Sequence, residues 1–205
     1  MFLFRTFTEK ISRKVTSEFI KNRASEKFTL DVGCGESPYS KYFPNRVSFD
    51  LEYTEGANLI ADVNDLPFKN ESFEQILCSE VLEHLEVPER GVKEMERVLK
   101  KNGKLIITTR FLFPLHNEPQ DFWRFTKFGL EKMFKGWKIE KLEGDTGDLM
   151  SLASVMQRFA FRQKNYIKVL FLLLCKLIYM LNLIFRNRVK TKIMPTGYLL
   201  IVRKG

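Results

Sequence analysis

The sequence is poor in cysteine, and its last stretch lacks acidic residues altogether. Cys34, Cys78 and Cys175 stand far apart, and none belongs to a Cys-x-x-Cys pair. So odd and scattered a set argues against a disulfide framework and against a cysteine-held zinc site. It fits a reducing, cytoplasmic compartment, and no metal ligands are expected. From residue 149 to 205 there is no Asp or Glu against eleven Lys and Arg. The other 23 of the 34 basic residues face 25 acidic ones, so the whole excess behind the net charge of +9 lies in the C-terminal quarter. A chain basic throughout would point to nucleic acid. A neutral body with a basic, greasy tail points instead to one local surface with its own partner. No internal repeat or low-complexity linker interrupts the 205 residues, a length that suits one α/β domain and is short for two. The apolar run near Phe2 is too short for a signal-peptide core.

Hydrophobic periodicity then gives an order of elements. Phe4, Phe7, Ile11, Val15 and Phe19 recur at steps of three and four, which predicts an amphipathic helix within residues 1–27. Strands are expected at 27–32, 47–51, 58–61, 74–78, 104–109, 137–142 and 198–203, with a helical turn at 80–85. A helix from 88 to about 101 should stop at Asn102-Gly103, and another should run from a Thr126 cap to Phe134. Alternating strands and helices predict a mostly parallel sheet covered on both faces.

The sharpest local signal is Leu30-Asp-Val-Gly-Cys-Gly-Glu-Ser37, where glycines follow a strand and allow a tight turn close to a ligand. The third glycine of a dinucleotide fingerprint would fall at Pro38. Asp31 ends the strand, where it would repel a pyrophosphate and suit a cationic ligand. Asp50, with Leu51 beside it, ends the next strand and can accept from both hydroxyls of a ribose. Asp62, next to Val63, follows the third strand and can accept from an adenine amino group. Any one of these is an ordinary loop aspartate; together they close the strands of one sheet, where open α/β sheets bind ligands.

These blocks resemble the class I, Rossmann-like methyltransferases that use S-adenosylmethionine. The resemblance also covers Asp62-Val-Asn-Asp-Leu-Pro-Phe, Ser72-Phe-Glu-Gln-Ile-Leu-Cys-Ser-Glu-Val-Leu-Glu-His-Leu and Arg97-Val-Leu-Lys-Lys-Asn-Gly-Lys-Leu, across about residues 28–140. It implies that Asp31, Gly33, Cys34 and Gly35 line the methionine and ribose side, that Asp50 with Leu51 takes the ribose and Asp62 with Val63 the adenine, and that Ser79 and Glu80 floor the methyl-donor pocket. Ser37 stands where many relatives carry a third glycine. His84 reads as a packing or loop-ordering residue.

After the fifth strand, residues 111–126 contain His116, Asp121 and Arg124 among aromatics, and resemble a His-x-x-Pro-x-Asp-x-x-Arg-x-Thr block of methyltransferases linked to surface glycans. His116 is the candidate base for a hydroxyl acceptor, with Asp121 orienting it. Arg124 either holds an anionic substrate group or pairs with Asp121 to fix the loop.

Residues 149–194 form a basic, apolar insertion before the last strand, 195–205. The 20 residues from Tyr166 to Phe185 are long enough to span a bilayer, but Lys168 and Lys176 interrupt them. Residues 155–192 are therefore expected to lie on an anionic membrane at its inner face, to pair two copies of the chain, or to cover the substrate site. The expected function is methylation of a small or lipid-linked acceptor such as a glycan precursor. The alternatives are an isoprenoid quinone acceptor and a non-catalytic scaffold. Nucleic acid is disfavoured, because the tail's charges mix with aliphatic side chains and not with stacking aromatics.

Overall fold

The computed structural model describes residues 11–185 and 193–205. Helix α1 (Ile11–Lys21) is followed by β1 (Thr29–Val32), β2 (Arg46–Asp50), β3 (Leu59–Ile60) and β4 (Phe73–Ser79). Then come α2 (Pro88–Val98), β5 (Leu99–Arg110), α3 (Lys127–Met133), β6 (Lys138–Gly144), α4 (Asp148–Phe161), α5 (Asn165–Phe185) and β7 (Gly197–Arg203). The N-terminal part of the expected first helix, with Phe4 and Phe7, lies outside the described residues, as do Arg186, Arg188, Lys190 and Lys192.

The seven strands form one sheet in the order β3-β2-β1-β4-β5-β7-β6. Strands β1 to β5 run parallel; β7 is antiparallel to both β5 and β6. This is the Rossmann-like fold of class I methyltransferases. Strands buried on both sides read as continuous apolar runs, because successive side chains point to opposite faces. Ile76, Leu105, Ile107, Leu200 and Val202 enter one core with α2 and α3, while Leu77, Ile106, Leu199 and Ile201 enter the other with Phe19 and Ile20 of α1.

Two boundaries differ from the sequence reading. Helix α2 ends at Val98, not near Lys101, and Asn102-Gly103 is not its cap. Leu99 is fully buried and already pairs with Phe73, and the register then shifts before Gln75 meets Lys104. Asn102 takes a φ of 58° and donates its N–H to the Lys204 carbonyl, so the Asn-Gly pair makes a kink within the strand. The insertion also divides in two. Ser151, Ala153, Ser154, Gln157 and Ala160 bury one face of α4 in the body of the protein, and only α5 stands outside it.

The expected Thr126 cap is present: its Oγ1 accepts from the Gly129 N–H at 3.1 Å. Gly197, at the start of β7, lies so close to β5 that a Cβ there would stand 2.2 Å from the Thr109 carbonyl oxygen. Gly197→Ala should therefore lower stability by about 1–3 kcal/mol through overpacking, measured as a shift of the denaturant midpoint. An unchanged midpoint would mean that β5 and β7 separate freely.

Candidate active site

The sheet reverses its winding between β1 and β4, and the carboxyl ends of these strands open a crevice there. A cavity of about 600 Å³ occupies it. One wall is the turn after β1, with Asp31, Gly33, Cys34 and Gly35. Ser79, Glu80, His84, His116, Arg110 and Arg158 line the cavity as well. Arg13, Thr16 and Ser17 of α1 also line it.

The turn has the conformation that its glycines allow. Gly33 and Gly35 take φ of 59° and 52°, and a Cβ on Gly33 would meet a Val81 methyl at 2.5 Å. Ser37 also takes a left-handed φ of 51°. Its N–H donates to the Cys34 carbonyl at 2.8 Å and its hydroxyl to Asp31 Oδ2 at 3.2 Å. A serine thus does the work of a third glycine, its side chain anchored where a glycine would have none.

Asp31 is buried, with Arg46 Nε 3.9 Å away. Burial pushes its carboxyl up to about 6, against the Ser37 hydrogen bond and the Arg46 charge; the Asp50 charge adds to the rise. Asp50 accepts from the Gly35 N–H through Oδ2 and from the Leu51 N–H through Oδ1, both at 2.8 Å. Leu51 itself is 65% exposed. Asp62 accepts from the backbone and side-chain nitrogens of Asn64, and Val63 is buried in the core. Leu51, Asp50, Asp62 and Val63 therefore lie beyond the cavity's lining, at the ends of β2 and β3.

Glu80 pairs with Arg110 Nε and accepts from Thr108 Oγ1 at 2.8 Å. Burial raises its carboxyl, and the Arg110 charge opposes the rise. Arg110 also stands 3.8 Å from Asp145 Oδ2, and the guanidinium groups of Arg110 and Arg158 both lie over the Phe113 ring, 4.4 and 3.7 Å from its centre. Arg158 donates to Ser12 Oγ at 3.0 Å, but its buried Nε has no hydrogen-bond partner among the described residues. Burial, with the like charge of Arg110, lowers Arg158 to about 10.

The loop after β5 brings His116 and Asp121 together. Asp121 Oδ2 accepts from the His116 N–H at 2.9 Å and lies 3.3 Å from His116 Nδ1. Arg124 grips both Asp121 oxygens at 2.7 Å and gives its other three N–H donors to the carbonyls of Phe113, Pro114 and Trp123. All five donors are spent within the loop, so of the two roles weighed for Arg124, loop fixing is the one this geometry leaves open. The Arg124 hydrogen bonds hold the Asp121 carboxyl well below its usual range, while burial lowers His116 despite the Asp121 charge. Arg110, Arg158 and Arg13 were missed in the sequence. The signal for Arg110 was a lone charge ending a β-branched strand, and for Arg158 a lone charge in an apolar helix.

Fold and crevice together define the class: a Rossmann-like domain whose turn after β1 offers a buried carboxylate, not a phosphate cradle. Residues 30–107 match the family described as "Methyltransferase domain". An uncharacterised protein of Methanocaldococcus jannaschii is 32% identical over 130 residues, 58% of this chain and 63% of that protein. The tRNA (carboxymethyluridine(34)-5-O)-methyltransferase of Saccharomyces cerevisiae is 31% identical over 99 residues, 42% of this chain and 36% of that one. In three dimensions the chain resembles the Burkholderia thailandensis 1,6-didemethyltoxoflavin-N1-methyltransferase, solved with S-adenosylhomocysteine, at a TM-score of 0.62 and 12% identity over 97% of this chain and 80% of that one. Residues 30–107 are thus similar to the methyltransferase domains that take S-adenosylmethionine, and the chain spans between 48% and 63% of the length of the first curated relatives it matches.

The buried Asp31 gives a direct test. It must be ionised to meet a cationic ligand, so S-adenosylmethionine affinity should be level above about pH 7 and fall by about tenfold per unit well below pH 6. Asp31→Asn should bind more weakly and lose this dependence. Calorimetry across pH 5–8 reads both, and a level wild-type profile would remove Asp31 from the cofactor site.

Proposed function

We propose that the protein transfers the methyl group of S-adenosylmethionine to an oxygen of an anionic, amphiphilic acceptor, a lipid-linked glycan precursor being the leading candidate. The observation that carries this reading is Arg158: a partly buried cation whose Nε has no hydrogen-bond partner among the described residues, facing the same cavity as Glu80 and His116. A phosphate or carboxylate on the acceptor would supply what Arg158 lacks.

The cofactor's methyl group is electrophilic because it sits on a positive sulfur, so the protein's task is positioning. Asp31 would meet the positive end of the cofactor, with Gly33, Cys34 and Gly35 letting the backbone approach. Asp50 with Leu51 would hold the ribose, and Asp62 with Val63 the adenine. Ser79 and Glu80 would set the floor. His116, buttressed by Asp121, would face the acceptor oxygen. With Arg124 committed to the loop, Arg158 takes the part of anion holder.

The amphiphilic element of the proposal rests on α5. Its residues Tyr166–Ile184 are long and apolar enough to cross a membrane, yet Leu173 and Leu177 are 59% and 53% exposed. The face turned to α4 carries Phe171, Cys175 and the partly buried Lys168, so the leucines point outward. Since β7 returns to the sheet, both ends of α5 join the same body, which favours a helix lying on the bilayer surface.

Incubating the protein with S-adenosylmethionine labelled in the methyl group and with cell extract should place label in the anionic, organic-soluble fraction. Label in RNA alone would overturn the acceptor assignment. Arg158→Ala should raise the acceptor KM by about tenfold or more, the loss of a charged hydrogen bond of about 1.5–3 kcal/mol, with cofactor affinity unchanged.

The surface reading has its own measurement. Vesicles containing anionic lipid should carry the protein upward on flotation, less so as salt rises, and Leu173→Asp with Leu177→Asp should abolish it. A protein that stays behind and forms a stable dimer in plain buffer would assign the leucine face to a second copy.

A further inference from the structure

His84 and His116 are the two histidines of the chain. They come from different segments, the turn after β4 and the loop after β5, and they meet edge to face with ring centres 4.8 Å apart. Glu83 joins them: one ligand-capable atom from each of the three residues lies within 4.8 Å of the other two.

The surroundings of the three side chains are those of ligands in waiting. Glu83 is fully buried; Oε2 accepts from Thr109 Oγ1 at 2.7 Å, but Oε1 is buried without a hydrogen-bond partner among the described residues. A buried carboxylate oxygen left without a donor is costly, and a cation beside it removes the cost. His84 Nδ1 faces the Gln120 carbonyl, which can only accept, so Nδ1 carries the proton and Nε2 keeps its lone pair. His116 Nδ1 lies 3.3 Å from Asp121 Oδ2 without the alignment of a hydrogen bond, and Asp121 is itself clamped by Arg124. A carboxylate or carbonyl behind each imidazole is the outer shell that orients metal-bound histidines.

We infer that Glu83, His84 and His116 bind one divalent first-row transition-metal ion, of the Zn²⁺ or Mn²⁺ class, at the acceptor side of the cavity. Two imidazoles and a carboxylate suit such an ion better than Mg²⁺ or Ca²⁺, which take mainly oxygen ligands. Three protein ligands leave a coordination position open, and both histidines line the cavity, so that position faces the acceptor. The absence of a cysteine pair excludes a thiolate zinc site and leaves this one untouched.

The site stands on these three residues alone; its part in catalysis rests on the oxygen-acceptor reading above. A cation there lowers the proton affinity of an acceptor hydroxyl beside it. The hydroxyl proton leaves to water, the oxygen bonds to the methyl carbon, and the methyl–sulfur bond breaks, giving the methyl ether and S-adenosylhomocysteine. His116 then meets the acceptor through the metal and not as a free base.

The experiment uses the full chain stripped with a chelator and titrated with Co²⁺ alone, read by its visible absorption, then displaced with Zn²⁺. One equivalent should bind to the wild type. His84→Gln and His116→Gln should each weaken binding by more than about tenfold, and Asp121→Asn by about 10–100-fold. Each variant's S-adenosylhomocysteine affinity and melting temperature show that it is folded. Wild-type binding no tighter than that of the His84→Gln, His116→Gln double variant would overturn the site. Because no acceptor enters this measurement, its failure is distinct from failure of the acceptor assignment. Full turnover by the stripped protein would overturn the catalytic part and return His116 to the role of base.

Discussion

The active-site half of this protein hangs on one buried cation, Arg110. It ends the central strand β5 and is 6% exposed. Glu80 from the end of β4 and Asp145 from the segment after β6 compensate it, and Phe113 lies against its face. Removing both acids would leave a buried charge without a partner, which costs more than the pairing itself gains. Asp145 in turn accepts from the Gly197 N–H and the Thr196 hydroxyl, so the start of β7 is held by the same group that faces Arg110. Three strand ends and the loop after β5 thus share one electrostatic knot, with Glu80 as the corner that lines the cavity.

A second, smaller device stabilises the other wall. Ser37 holds Asp31 from within the turn, and Asp50 caps Gly35 across it. Each carboxylate therefore already has a hydrogen-bond partner, which fixes its orientation before any ligand arrives. Such preorganisation keeps the entropic cost of ordering side chains out of the binding step.

Much of this was legible in the sequence. Period-two and continuous apolar runs located the strands, and Asp31, Asp50 and Asp62 marked their carboxyl ends in order. The kink at Asn102 was not legible, because Asn-Gly serves a helix end and a strand bulge equally and the pairing of Leu99 with Phe73 decides between them. Nor was the fate of Arg124: its acid partner was visible three residues away, but the three carbonyls that take its remaining donors depend on how the loop folds back. Arg158 lies still further from prediction, since a helix from beyond β6 meets α1 and Phe113 only in the tertiary structure. The insertion looked like one greasy, basic unit because composition does not register that the small residues of α4 fit against the body while the leucines of α5 do not.

The residues of the proposed cofactor wall, from Asp31 to Glu80, fall within the span of 30–107 that matches the methyltransferase family. His116, Asp121, Arg158 and the whole of α5 lie beyond it, whereas Glu83 and His84 lie within it. Under the proposed roles, the donor wall is written in one paragraph of the chain and the recipient side in a second that borrows His84 from the first. Such a layout makes the recipient paragraph replaceable: loops and helices between β5 and β7 can be exchanged or lengthened without touching the turn after β1. A change of substrate then requires only that Arg110 and Asp145 keep the seam between the two closed.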